Sequence, residues 1–198
     1  GKHKEIKGSK VMTPIDPDGL QIHWSFDRAV PENDILNSVR GDKAEPYRVA
    51  GMVCETAYKN TGEFGNEYAL FSANTKTVEG LIGNAVELTP KSALMLPAMG
   101  PMEGDFKRTV AFWVKTTSTG RQLILNTVSK WGRSAQFFNI GINNGRLELA
   151  LRPRVTALAE GGQKLNDGQW HHVAVTVPRR NATLQDLNLF IDGQQMDD

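Results

Sequence analysis

Between Arg108 and Thr116 every second residue is apolar, with Val110, Phe112 and Val114 on one side of the chain and Ala111, Trp113 and Lys115 on the other. A helix cannot bury such a run on one face, because its faces repeat every 3.6 residues rather than every two. The same two-residue period returns in Ile22–Phe26 (Ile22, Trp24, Phe26), in Gln136–Ile142 (Phe138, Ile140, Ile142) and in Arg146–Arg152 (Leu147, Leu149, Leu151). It appears again in Gln169–Val177, where His171, Val173, Val175 and Val177 line up. Short alternating runs bounded by turn residues define an all-β chain.

The punctuation agrees. Asn143-Asn144-Gly145 joins two alternating runs with residues that tolerate positive φ, as tight hairpins demand, and Asn166-Asp167-Gly168 and Asp192-Gly193 mark two more turns. Further strands are expected over Gly83–Leu88, Ala93–Leu96, Gln122–Lys130 and Leu187–Ile191, with brief ones at Tyr47–Val53 and Tyr68–Phe71. Ala157–Lys164 is the one stretch with room for a helical turn or two. Residues 1–18 are charged, contain two prolines and lack periodicity, so they read as a linker or an N-terminal arm.

Charge and cysteine usage narrow the partners. Lys+Arg 23 against Asp+Glu 22 leaves a net charge of +1, and no basic cluster follows the first ten residues, which argues against nucleic acid or an anionic membrane surface. No apolar run reaches the roughly 18 residues of a membrane span, so no membrane insertion is expected. The single cysteine, Cys54, excludes an internal disulfide, and stability must come from core burial, alone or with a metal. That favours an exported bacterial protein (periplasmic, cell-surface or secreted) over a disulfide-bonded animal module, with the targeting segment outside these residues.

Several stretches, in order, resemble the laminin G-like branch of the concanavalin A-like lectin/glucanase superfamily. They are Gly19-Leu20 with His23-Trp24-Ser25-Phe26-Asp27, Gly80–Leu88, Thr109–Lys115, Asn144–Leu149, Asp167–Thr176 and Leu189–Gly193. The Trp170-His171-His172-Val173-Ala174 stretch followed by Phe190-Ile191-Asp192-Gly193 is the most specific of these. The resemblance implies a two-sheet antiparallel β-sandwich, a jelly roll, over residues 19–198. Its relatives continue past the Asp-Gly turn with one or two more strands, so this domain is expected either to lack its last strands or to take their pairing from the terminal arm. The stretch from Asp27 to Thr77 is longer than the corresponding loop.

Glucanases of the superfamily carry two or three carboxylates at alternate positions on one strand. Retaining hydrolysis needs an acid and a nucleophile about 5 Å apart. Here Arg146–Arg152 offers only Glu148, flanked on its own face by Arg146 and Arg152, neighbours that favour its ionised form over a general acid. No Gly-x-Ser-x-Gly nucleophile turn is present. The chain is therefore read as non-catalytic.

Sugars present an apolar C–H face and a rim of hydroxyls, so their sites pair an aromatic platform with planar polar groups. With the leucine-rich faces turned to the core, the opposite faces carry Trp113, Phe137, Asn139, Arg146, Glu148 and Arg152. If their strands share a sheet, these six form one carbohydrate-binding patch. The bland alternative buries both rings and leaves Arg146, Glu148 and Arg152 as a surface ion-pair ladder.

Relatives often bind calcium near the first strand. The oxygen donors available here are Asp27, Asp34 and Asp42, but Asn37-Ser38-Val39-Arg40-Gly41 puts an amide and an arginine where acidic ligands are usual. No cofactor is required on this reading, and calcium is a secondary expectation. His171 and His172 point to opposite faces of a strand and cannot share a metal, so one belongs in the core and one outside. The sequence thus points to a binding module of a larger exported protein, recognising polysaccharide. The alternatives are a structural or interaction domain with a cell-surface protein as partner, and an accessory domain of a glycoside hydrolase.

Overall fold

The computed structural model describes residues 24–27, 29–31, 48–49, 52–54, 56–59, 69–95, 107–128, 137–151, 156–158, 163–179 and 182–196. Every sheet is antiparallel, and three sheets of four strands and two of two strands are formed among these residues. The chain divides into two compact units, 1–98 and 99–198.

In the first unit, β1 (Ala29–Pro31), β4 (Thr56–Lys59), β5 (Ala69–Ala73) and β8 (Ala93–Met95) form one sheet in that order. β2 (Arg48–Val49) pairs with β3 (Met52–Val53), so Tyr47–Val53 is a small hairpin rather than one strand. β6 (Lys76–Glu79) pairs with β7 (Asn84–Glu87). Cys54, Ala57, Tyr58, Ser72 and Ala73 are buried, and the Tyr58 ring meets Phe26 edge-on at 5.1 Å. Residues 24–26 are not a strand: Phe26 has φ 61°, a left-handed backbone that breaks the alternation read into Ile22–Phe26.

The second unit holds the strongest alternation. One sheet runs β10 (Gln122–Val128), β11 (Phe137–Asn143), β12 (Arg146–Leu151) and β13 (Thr156–Leu158). The other runs β16 (Gln194–Gln195), β15 (Asn188–Ile191), β14 (Trp170–Val177) and β9 (Arg108–Lys115). Phe138, Ile140, Ile142, Leu147 and Leu149 from the first sheet share one buried cluster with Val173, Val175, Val177 and Ile191 from the second. Leu165 and Leu187 complete it, and Val110, Phe112 and Val114 pack against it. Thr156–Leu158 is a strand, not the start of the helical turn allowed for Ala157–Lys164, because it pairs with Glu148–Ala150.

Turn chemistry fixes the registers. Asn144-Gly145 and Asp192-Gly193 are both two-residue loops with φ of 51° and 78°, and 52° and 79°, the doubly positive pattern that matches strand twist. A register shift between Leu123 and Leu125 gives β10 one extra residue. Ile124 and Leu125 both pack on the core, while Leu123 is left exposed.

Candidate functional site

Trp113 stands on the outer face of β9, 44% exposed. Val110, Phe112 and Val114 are drawn inward by the core, so the pleat must turn Ala111, Trp113 and Lys115 to solvent. Directly opposite on β14 is His172, with ring centroids 5.1 Å apart and planes at 61°. One step along the strands Ala111 lies beside Ala174, and Ala174 lies beside Phe190 on β15. The next step pairs Thr109 with Thr176, and Thr176 with Asn188. In the other direction Trp170 pairs with Lys115.

The result is a shallow apolar floor of two alanine methyls. Aromatic rings flank it at Trp113, His172 and Phe190, and hydroxyls and an amide border it at Thr109, Thr176 and Asn188. Asn188 is held by neighbours on both sides: its Nδ2 donates to Thr176 Oγ1 at 3.1 Å and its Oδ1 accepts from Gln195 Nε2 at 3.2 Å.

The other sequence candidates lie elsewhere. Asn139, Arg146 and Glu148 are on β11 and β12, in the sheet that does not contain Trp113. The single patch of six is therefore corrected: its condition, one shared sheet, is not met, because β9 pairs with β14 rather than with β11 or β12. Phe137 opens β11, but its side chain lies outside the described residues, as does Arg152. Arg146 is exposed, whereas Glu148 is buried.

The ion-pair ladder is corrected too. Glu148 takes its cation from Arg121, in the approach to β10, whose Nε donates to Glu148 Oε1 at 2.5 Å and whose terminal nitrogen also pairs with that oxygen. Asn143 Nδ2 donates to Glu148 Oε2 at 3.0 Å. Gly141, opposite Glu148, is needed because a Cβ there would meet Gln122 O at 2.7 Å. Asn139 Oδ1 is buried without a hydrogen-bond partner among the described residues.

Asp27, the one described member of the calcium set, holds a hairpin. Its Oδ1 accepts from Asn84 N at 2.9 Å and its carbonyl from Asn84 Nδ2 at 3.2 Å. Gly83 makes room for this, since a Cβ there would lie 2.0 Å from Asp27 Oδ1. Asp34 and Asp42 lie outside the described residues. Among the described residues no three His, Cys, Asp or Glu side chains converge as a metal cluster.

His171 and His172 part company as the alternation requires. His171 is buried and His172 half-exposed. His171 Nδ1 lies 2.8 Å from Asp192 Oδ2 and its Nε2 3.0 Å from Asp167 Oδ1. Burial pushes this imidazole toward its neutral form, but hydrogen bonds to Asp192 and Asp167, reinforced by their charges, outweigh burial and raise its pKa above 6.5. Asp167 is held below 3.8, first by the Gln169 N–H and then by His171.

These turns and this histidine pair coincide with the most specific stretch of the sequence, and comparison with known proteins reaches the same place. The family described as the concanavalin A-like lectin/glucanases superfamily, of laminin G type, matches residues 89–198, just over half of the chain. The chain belongs to that superfamily. No curated protein matches it. The superfamily match takes in β9 through β16 and therefore both sheets that share the second unit's core. Among the described residues, no helix is long and apolar enough to cross a membrane.

Sequence reasoning missed His172, Phe190, Ala111, Ala174, Thr176 and Asn188 as companions of Trp113. The signal was present in the alternation of Gln169–Val177 and Leu187–Ile191. It needed the β9–β14 register, which no local pattern supplies.

Proposed function

We propose that the chain is a non-catalytic carbohydrate-recognition module, and that polysaccharide lies on the outer face of β9, β14 and β15. The carrying observation is Trp113, exposed beside two alanines and edge-on to His172. An indole in that setting offers a sugar ring its C–H contact, and the small floor lets the ring come close. Thr109, Thr176 and Asn188 supply donors and acceptors for hydroxyls. Membership in a superfamily of lectins and glucanases supports the reading. Its non-catalytic character rests on Glu148, whose two oxygens are taken up, among the described residues, by Arg121 and Asn143.

The same proposal keeps a two-sheet jelly roll over residues 19–198, and an exported location, where polysaccharides are met. A glycan array probed with the whole 198-residue chain tests it. Binding to a polysaccharide that is lost in Trp113→Ala supports the module. Silence across the array from a folded sample rejects it in favour of a protein-interaction domain.

A further inference from the structure

His171 occupies an unusual electrostatic position for a core residue. It is 3% exposed, and each ring nitrogen faces a different carboxylate, Asp192 at 2.8 Å and Asp167 at 3.0 Å. The two carboxylates come from separate turns. Asp167 belongs to Asn166-Asp167-Gly168, whose Gly168 N–H is bonded to Thr116 O across from β9. Asp192 starts the loop between β15 and β16, and clamps β14 twice: its N–H donates to His172 O at 2.8 Å and its Oδ1 accepts from His172 N at 2.9 Å.

A neutral imidazole has one N–H and one bare nitrogen. It satisfies one of these carboxylates and turns a lone pair on the other at hydrogen-bond distance. Only the imidazolium donates to both. We propose that His171 is a pH-sensitive strap, which as imidazolium ties the turn before β14 to the β15–β16 hairpin and on losing its proton releases one of them.

Among the described residues, the carboxylates of Asp167 and Asp192 are the groups acting on the ring's charge, and the residue opposite it on β9 is the apolar Val114. The sign follows from the direction of the shift. A folded-state pKa above the unfolded value of about 6.5 makes the strap's contribution complete below that pH and loses it as pH rises through the folded pKa. The depressed pKa of Asp167 works at the other end, where its contribution fades as acid protonates it. The strap is therefore closed below about pH 6.5 and opens as pH rises through the folded pKa that lies above it.

NMR of the intact chain tests this without any ligand. At pH 6, long-range ¹H–¹⁵N spectra should show protons on both ring nitrogens of His171. From pH 6 to pH 9, the exchange protection factor of the Gly168 amide, which holds the turn to Thr116, or those of the Asp192 and Met196 amides, which hold the hairpin to His172 and Leu189, should fall. The full fall is about tenfold for each pH unit separating the folded and unfolded pKa values. In Asp167→Asn the amide can accept from a protonated Nε2 or donate to a bare one, so the fall should shrink. A single neutral tautomer at pH 6, or protection unchanged through pH 9, overturns the proposal. The wild-type spectra decide the matter alone if Asp167→Asn does not fold.

Discussion

Trp113 and His172 are cross-strand partners on β9 and β14, and their rings meet edge to face on the solvent side of the sheet. Aromatic pairs of this geometry contribute about 0.5–1.5 kcal/mol beyond area burial. That amount makes Trp113 a well-positioned ring without making it part of the core.

Trp113→Ala is therefore expected to separate binding from folding. Urea denaturation should show a loss of about 1–2 kcal/mol, from the edge-on pair with His172 and the covered part of the ring, since the indole is 44% exposed and removing it opens no core cavity. Polysaccharide binding, followed by affinity electrophoresis, should weaken at least tenfold, the usual scale for truncating a stacking aromatic anchor. Loss of folding with loss of binding would mean that the ring is structural. Unchanged binding would place the ligand elsewhere.

Glu148 offers a different balance. Its side chain is 7% exposed and its partner Arg121 60% exposed, so the acid bears most of the desolvation and the base keeps most of its hydration. Arg121→Ala leaves a buried carboxylate with Asn143 as its remaining described partner, at a cost of about 1–3 kcal/mol. Glu148→Gln keeps the shape and an acceptor. The double variant should be more stable than Arg121→Ala alone, since the stranded charge is gone. Urea denaturation of the four proteins measures the coupling, and strictly additive losses would show that the pair contributes nothing of its own.

What was legible in the residues was whatever depends on neighbours in sequence. The inward Val110, Phe112 and Val114, the opposite orientations of His171 and His172, and the Asn144-Gly145 hairpin all follow from the two-residue period and turn chemistry. What was not legible depends on register between distant strands. Arg121 and Glu148 are 27 residues apart, and no pattern near either announces the other. Trp113, Asn139 and Glu148 all turn away from a greasy face, yet two sheets share that core and each has its own opposite side. Phe26 failed for a local reason, since a left-handed backbone interrupts an alternation that composition alone cannot see broken.

Two glycines with nearly equal backbones allow strain and crowding to be told apart. Gly145 has φ 78° and Gly193 φ 79°, both in the left-handed region. A Cβ at Gly193 meets nothing within 4 Å, whereas one at Gly145 would lie 2.2 Å from Asn166 Oδ1. Gly193→Ala should cost about 1–2 kcal/mol, the backbone penalty alone. Gly145→Ala should cost more by thermal or urea denaturation, because Asn166 must also move and its bond to Ser118 O is put at risk. Equal losses would mean that the Asn166 side chain gives way freely.

Asp27 is where the calcium expectation meets the described part of the chain. One of its carboxylate oxygens is already held by the Asn84 N–H at 2.9 Å, and its carbonyl by the Asn84 amide at 3.2 Å, a clasp that sets the β6–β7 hairpin against residue 27. A cation binding Asp27 has to compete for that oxygen or make do with the other, and a hard divalent ion wants six or more oxygen donors. Melting curves in millimolar calcium and in chelator are accordingly expected to superimpose. The measurement is sensitive: calcium at 100 times its dissociation constant would add about 2.7 kcal/mol, several degrees in Tm. Asp27→Ala should lower Tm equally in both buffers, by the roughly 1 kcal/mol of a lost hydrogen bond. A calcium-dependent rise that disappears in Asp27→Ala would instead make this carboxylate a ligand, with the Asn84 clasp as the support that aims it.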